Sequence, residues 1–120
     1  MDQSKALAAF AALSQDTRLA AFRVLVQAGP HGLAAGALSE RLGVPQNTLS
    51  FHLGQLTQAG LVVQRKTGRQ RYYSAEFPFV RDLIRFMVEN CCSVDFVECA
   101  AGACNLPDVV TFKTPDEADR

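Results

Sequence analysis

Apolar side chains recur at helical spacing in five segments of the chain, separated by short breaks. The first segment, residues 5–13, predicts a short helix. The second predicts a helix that Ser14 or Asp16 caps and that ends at Gly29 and Pro30. The inward stripe of this second helix is predicted to be Leu19, Phe22, Leu25 and Val26. The chain therefore begins with two helices joined by a tight connection.

Two shorter segments follow, and a turn of three residues joins them. The third helix is predicted over residues 35–42 and ends at Gly43, since glycine favours the left-handed conformation found just beyond a helix. Pro45 suits the first position of a fourth helix, which Gly60 ends. The inward face of this fourth helix is predicted to be Leu49, Leu53 and Leu56. Such a pair of helices predicts a helix-turn-helix.

A β-hairpin pattern comes next. Branched residues are frequent in 61–67, Gly68 offers a reversal, and two tyrosines lie within 70–74. Four cations surround the predicted tip: Arg65, Lys66, Arg69 and Arg71. A cationic hairpin beside a helix-turn-helix predicts a winged helix. The expected fold class is therefore mainly α with a β-hairpin wing.

A fifth helix is predicted to begin near Pro78, with an apolar face too broad for a simple surface helix. A second copy of the chain covers such a face most simply, because a twofold axis places one patch against itself. We therefore expect a homodimer through the first and last helices. Its interface is predicted to consist of Leu7, Phe10, Phe79, Val80, Leu83, Ile84 and Met87.

The length of 120 residues accommodates one compact domain. We assign residues 1–104 to a winged-helix domain with a C-terminal cysteine site, and residues 105–120 to a disordered tail. No apolar run approaches the roughly 18 residues that span a bilayer, and the N-terminus does not resemble a secretion signal. We expect a cytoplasmic protein with no membrane partner.

Charge is separated along the chain although the net charge is zero. Residues 1–86 carry ten Lys and Arg against five Asp and Glu, whereas residues 87–120 carry two against seven. The basic part contains the predicted helix-turn-helix and wing. This distribution indicates a nucleic-acid partner despite the neutral total.

The fourth helix has a polar face opposite its leucines. Amides and hydroxyls near the start of a helix can read base edges in the major groove, and an aromatic ring can contact thymine methyl groups. The predicted DNA-reading residues are Gln46, Asn47, Thr48, Ser50, Phe51 and His52, with the four wing cations on the DNA backbone or in the minor groove. The alternatives are a solvated helix face and a packing or capping role for His52. Double-stranded DNA is favoured over RNA, because the sequence predicts a groove-reading helix and no stacking platform.

All four cysteines lie within fourteen consecutive residues: Cys91, Cys92, Cys99 and Cys104. In a reducing compartment, such a cluster favours a soft metal, a metalloid or redox chemistry over structural disulfides. Core filling is the alternative for Cys91, which continues the apolar stripe of the fifth helix. Four clustered thiols therefore predict one local site.

Three stretches resemble the ArsR/SmtB repressors: LSQDTRL at 13–19, LSERLGV at 38–44, and LSFHL at 49–53 followed by Leu56 and AGLV at 59–62. The resemblance covers residues 5–92. It implies dimeric winged-helix repressors that bind an operator and release it when an inducer binds. The inducer site differs among members of the family.

The cysteines narrow this resemblance to one group within the family. No cysteine occurs in 36–41, where the founding arsenic and cadmium sensors carry Cys-x-Cys, and no histidine follows His52, unlike in the zinc sensors. The chain resembles variant arsenite sensors with a Cys-Cys pair and a third cysteine after the last helix. That resemblance implies a site of Cys91, Cys92 and Cys99, with Cys104 as a substitute, and arsenite or antimonite as inducer without an organic cofactor.

The chemistry of thiolates supports this site independently. Soft thiolates without imidazole partners select thiophilic centres, and trivalent arsenic takes three sulfurs, whereas zinc normally takes four ligands. A methylated trivalent arsenical would need only two thiols. A thiol redox repressor of the same fold is the main alternative, since a disulfide also needs only two thiols. We expect no enzyme, because the sequence has no Cys-x-x-Cys at a helix start and no general base near the thiols.

Overall fold

Five helices and a small sheet make up residues 1–89, the part of the chain that this computed structural model describes. The elements are α1 (Gln3–Leu13), α2 (Asp16–Ala28), β1 (Leu33–Ala34), α3 (Ala35–Leu42), α4 (Gln46–Gln58), β2 (Val62–Thr67), β3 (Gln70–Ala75) and α5 (Phe77–Val88). The winged-helix class predicted from the sequence is confirmed. The cysteines, the predicted tail and the boundary between 104 and 105 lie outside the described residues.

The connection between α3 and α4 forms as its glycine and proline indicate. Gly43 has a φ of 66°, and its N–H donates to the carbonyl of Ser39 at 2.9 Å. The hydroxyl of Ser39 donates to the carbonyl of Val44. Pro45 precedes α4 as its cap rather than occupying the first helical position, which is a correction of one residue. The two helices are thus joined by a short connection with its own hydrogen bonds.

The start of α2 differs from the prediction. Its cap is Gln15, whose side-chain oxygen accepts from the N–H of Arg18 at 2.8 Å, rather than Ser14 or Asp16. A glutamine is longer than the usual capping residues, but its amide oxygen supplies the same acceptor for an unpaired helical N–H. This cap holds Arg18 in the first turn of α2.

The core lies between α2, α3, α4 and the base of the hairpin. Its most deeply buried large side chains are Leu25, Leu38, Leu49, Leu53, Leu56, Leu61 and Val62. The leucine face predicted for α4 is therefore confirmed. In α2 only Phe22 and Leu25 of the predicted stripe are buried, whereas Leu19 and Val26 are exposed. The predicted inward stripe of four residues is therefore wider than the part of α2 that packs against the core.

The sheet has three antiparallel strands in the order β1-β3-β2. The hairpin of β2 and β3 was predicted, and its turn contains Gly68 with a φ of 62°. The two-residue strand β1 was not predicted; in it Leu33 pairs with Tyr73. The sheet thereby joins the segment before α3 to the wing.

The first helix, α1, faces the core with its alanines. Ala6, Ala9 and Ala12 are buried, because small side chains let α1 approach α2 and α4 closely. The larger Leu7 and Phe10 are 58% and 38% exposed. The apolar residues predicted to meet a second copy therefore remain on the surface of this single chain.

The last described helix, α5, contributes one buried anchor. Leu83 is buried within the protomer, so it already belongs to the core of a single chain. Met87 is exposed, and Phe79, Val80 and Ile84 are half-buried. Of the five α5 residues predicted at the dimer interface, Leu83 has almost no surface left for a second copy to cover.

Candidate nucleic-acid interface

The outward face of α4 carries the predicted DNA-reading residues. Leu49, Leu53 and Leu56 anchor the helix, so the positions between them point away from the core. The exposed members are Gln46, Asn47, Thr48, Ser50 and Phe51. Phe51 is 62% exposed, an unusual position for a large aromatic ring. The face combines hydrogen-bonding groups with one exposed apolar surface.

Asn47 is already engaged within α4. Its Oδ1 accepts from the N–H of Thr48 at 2.9 Å, an N–H that no residue of the preceding turn reaches. A bidentate pairing with adenine needs both the oxygen and the nitrogen of the amide. Gln46 has no such local contact among the hydrogen bonds of residues 1–89, so its amide is the better prepared of the two.

His52 differs from its neighbours because it is half-buried and contacts another helix. Nη1 of Arg18 in α2 lies 3.2 Å from its Nδ1. The rings of Phe51 and His52 meet edge to face with 5.5 Å between their centroids. His52 therefore connects the exposed face of α4 to the body of the protein.

The four wing cations have different surroundings. Arg65 donates from Nη2 to the carbonyl of His31 at 3.0 Å, and its guanidinium lies 5.5 Å from the centroid of the Tyr72 ring. Arg71 is opposite Lys66 across the hairpin, so two like charges face each other. Arg65 is thus held against its own protein, while Lys66 and Arg71 share the next cross-strand position.

An open cleft of about 490 Å³ lies between the wing, α3 and α4. Its lining brings together Arg69 and Arg71 of the wing with Gln46 and Ser50 of α4. The remaining lining residues are Ala34, Ala35, Gly36, Ala37, Gln70 and Tyr73. The N-terminus of α3, whose residues there have small side chains and whose cap makes no side-chain hydrogen bond, therefore lines the cleft. The cleft therefore has a cationic rim, amide and hydroxyl groups, and the positive end of a helix, all of which favour an anion.

Two contributors to this site could not be identified from residue type and spacing. Arg18 lies 34 positions before His52, and the segment 34–37 enters the cleft only because β1 pairs with β3. No local pattern signals either contact. In contrast, the α4 residues and the wing cations follow from helical spacing and from the hairpin.

The predicted metalloid site cannot be placed, because all four cysteines lie outside the described residues. Within residues 1–89, no three His, Cys, Asp or Glu side chains come close enough to hold a metal ion. The same part of the chain contains no helix that is long and apolar enough to cross a membrane.

Comparison with known proteins supports the interpretation of this geometry. A family model described as a helix-turn-helix domain matches residues 13–65. The uncharacterized HTH-type transcriptional regulator MJ1325 of Methanocaldococcus jannaschii is 32% identical over 85 residues, covering 71% of this chain and 93% of MJ1325. The HTH-type regulator YceK of Bacillus subtilis is 38% identical over 65 residues. A protein of Halobacterium salinarum named as an arsenical resistance operon repressor, ArsR, is 42% identical over 62 residues. These last two matches cover 54% and 52% of this chain, and 64% and 47% of the relatives themselves.

Solved structures agree with these relatives. An ArsR-like transcriptional regulator from Rhodococcus has a TM-score of 0.64 at 30% identity, covering 82% of this chain and 89% of its own. HlyU from Vibrio cholerae has a TM-score of 0.60 at 30% identity, and the match covers 77% of this chain and 99% of the HlyU chain. Mb0332 from Mycobacterium bovis was solved as a homodimeric winged helix-turn-helix DNA-binding domain. It has a TM-score of 0.60 at 27% identity, and the match covers 71% of this chain and 77% of the Mb0332 chain.

The fold, the outward face of α4 and the cationic wing define a winged helix-turn-helix transcriptional regulator. The relatives named above are described as HTH-type transcriptional regulators or, in one case, as an arsenical resistance operon repressor. The chain belongs to the ArsR/SmtB family of such regulators.

Proposed function

We propose that this protein is a dimeric repressor that binds an operator and releases it when trivalent arsenic or antimony binds the thiolates of Cys91, Cys92 and Cys99. The observation that carries the DNA-binding half is the cleft in which Arg69 and Arg71 meet Gln46 and Ser50. Cations there can hold phosphates while the amide and hydroxyl reach base edges. One protomer thus offers both kinds of contact on a continuous surface.

The exposed apolar residues of α1 and α5 support a dimer. Leu7 and Phe10 of α1 and Met87 of α5 lie on the surface of the single chain, so a second copy that covers them removes apolar surface from water. Mb0332, a structural neighbour, is a homodimer. A twofold arrangement also presents two α4 helices to two half-sites of a palindromic operator.

The donor set supports arsenite as the inducer. Thiolates are soft ligands, and three of them satisfy a trivalent arsenic atom that keeps a lone pair. The similarity to a relative named as an arsenical resistance operon repressor agrees with this assignment. Imidazole or carboxylate ligands in place of these thiolates would instead favour harder metals.

A titration of the DNA complex tests the proposal. Full-length protein is bound to a fluorescent duplex selected from a random pool, and arsenite, antimonite, zinc or peroxide is added while anisotropy is followed. We expect arsenite and antimonite to release the DNA and zinc to leave it bound. A coupling of about 1–3 kcal/mol corresponds to an affinity loss of roughly 5- to 150-fold.

Serine substitutions assign the ligands. Cys91→Ser, Cys92→Ser and Cys99→Ser should each abolish the response to arsenite while DNA binding persists, because a hydroxyl is a much harder ligand than a thiolate. Cys104→Ser is the matched control and should keep the response. X-ray absorption of the arsenic-bound protein should count three sulfurs. A response that survives in the Cys91/Cys92 double variant would exclude this site.

A thiol redox repressor is the second candidate. It is favoured by the likeness to HlyU of Vibrio cholerae, whose structure has also been solved in its reduced form. In this version peroxide oxidises two thiols to a disulfide and is itself reduced to water. Release of DNA by peroxide, reversed by dithiothreitol and needing only two of the four cysteines, would select this candidate over arsenite.

A further inference from the structure

Arg18 lies where three helices meet. Its backbone N–H donates to the side-chain oxygen of Gln15, the cap of α2, and its Nε donates to the carbonyl of Ala12, in the last turn of α1, at 2.6 Å. Its Nη1 lies 3.2 Å from Nδ1 of His52 on α4. One guanidinium therefore links the end of α1 to the helix that carries the DNA-reading face.

The chemistry of the guanidinium fixes the direction of the contact with His52. Arginine only donates hydrogen bonds, so Nδ1 of His52 must be the acceptor. A neutral imidazole that accepts at Nδ1 carries its proton on Nε2. No hydrogen bond within residues 1–89 engages Nε2 of this half-buried residue, and that atom is not fully buried.

We propose that Arg18 is a positioning residue for DNA recognition. It holds the imidazole of His52 in the tautomer whose Nε2–H is free to donate to DNA, and it fixes that ring relative to the end of α1. The claim that Nε2–H donates to DNA rests on the proposed function. The claim that Arg18 fixes the tautomer of His52 concerns the protein without DNA and does not.

The shape of arginine suits this role. Nε and Nη1 point along different edges of one rigid plane, so a single side chain reaches the Ala12 carbonyl and the His52 ring together. A lysine keeps the charge but has one compact ammonium group. Arg18→Lys therefore removes the double contact and preserves the net charge of the surface.

The first experiment reads the tautomer by nitrogen NMR of the imidazoles in full-length protein without DNA. At about pH 8 an ordinary imidazole is neutral, and the exposed His31 serves as the internal reference because the chain has only two histidines. We expect a single Nε2–H form for His52 and an averaged pattern for His31. In Arg18→Lys the His52 pattern should move towards that of His31, whereas Arg23→Lys, an exposed position on the same helix, should leave it unchanged.

The second experiment is a double-mutant cycle on DNA affinity. Losing a hydrogen bond to a charged partner typically weakens binding about tenfold or more, so Arg18→Lys and His52→Ala should each lower affinity by about that factor. If Arg18 acts through His52, the double variant should bind no more weakly than the weaker single variant. His52→Gln, which supplies an amide N–H near the position of Nε2, should restore part of the affinity with either Arg18 or Lys at position 18.

The outcomes separate the inference from the proposed function. An averaged tautomer of His52 in the unsubstituted protein, or losses of affinity that multiply in the double variant, would overturn the role of Arg18. Failure of the unsubstituted protein to bind any duplex would overturn the proposed function while the NMR result still decides the tautomer. Circular dichroism melts of every variant confirm that the compared proteins are folded.

Discussion

Arg65 and Arg71 belong to the same hairpin, but their guanidinium groups have different surroundings. Arg65 donates to the carbonyl of His31 and lies over the ring of Tyr72. Arg71 lines the cleft and faces Lys66 across the strands. A cation beside another cation is stabilised by a phosphate, whereas one held by its own protein gains less from DNA.

This difference predicts unequal effects on binding. Arg71→Ala should weaken binding to all sequences similarly and lower the slope of log affinity against log salt by about one, because one phosphate contact is lost. Arg65→Ala is the matched control and should change the slope much less. Affinity measured over a series of salt concentrations gives both slopes. Equal slope changes would show that the contacts of Arg65 do not persist in the complex.

The residue scale also shows how far sequence reasoning reaches. The exposed groups of α4 and the wing cations were predictable, since spacing within one element decides which way a side chain points. The role of Arg18 and the contact of Arg65 with the His31 carbonyl were not, because each depends on a partner 34 positions away. Whether the cysteines form the predicted site stays a prediction.

At the scale of elements, β1 depends on one glycine. Gly32 has a φ of 72°, and a Cβ placed there would lie 2.8 Å from the carbonyl carbon of Tyr73 in β3. The clash is with backbone, which cannot rotate away. Gly29 also has a positive φ, of 83°, but nothing lies within 4 Å of its Cβ position.

Alanine at Gly29 tests the cost of the positive φ alone, and alanine at Gly32 tests that cost together with the steric clash against the backbone of β3. Gly29→Ala should lower the free energy of unfolding by about 1–3 kcal/mol, because Gly29 combines a φ of 83° with a ψ of −170°, a region that residues with a Cβ rarely adopt. Gly32→Ala should cost clearly more, because β1 must also move away from β3. Denaturant unfolding with an unchanged m-value gives both numbers. Similar losses for the two variants would mean that β1 shifts without penalty.

The elements differ in how well sequence alone predicts them. Helices α3 and α4 follow from their leucines and from Gly43 and Pro45, since each signal is local. The strand β1 has two residues, too few for a periodic pattern, and it exists only because β3 offers an edge. The inward face of α1 was ambiguous for a different reason: both its alanines and its larger residues repeat at helical spacing.

At the scale of the whole molecule, the exposed residues of α1 give the sharpest test of assembly. Phe10→Glu should yield folded monomers, because Phe10 is 38% exposed in the single chain and contributes little to its core. Full burial of such a side chain is worth about 1.5–3 kcal/mol, so the exposed 38% of Phe10 leaves about 0.6–1.1 kcal/mol for each copy in the dimer. The two glutamates must in addition lose water at the interface, which costs more. The dimer dissociation constant should therefore rise about a hundredfold or more, as measured by sedimentation.

Val63 offers the matched control for this substitution. It is 39% exposed but belongs to the wing strand β2 rather than to α1 or α5. Val63→Glu should leave the dimer intact. A monomeric unsubstituted protein at micromolar concentration would contradict the proposed assembly, and Leu83→Asp would not test it, since Leu83 is buried within the protomer.

The alanine face of α1 links local unfolding to protein concentration. Inside one protomer the fully buried side chains of α1 are the alanines Ala6, Ala9 and Ala12, and Leu13 packs partly against the core. Apolar surface of Leu7 and Phe10 stays exposed, so α1 is held more strongly once a second copy covers it. In the proposed dimer, α1 and the subunit contact therefore open as one cooperative unit. Dilution will speed hydrogen exchange along α1 first, and the Ala12 carbonyl that anchors Arg18 will move away from α4 with it.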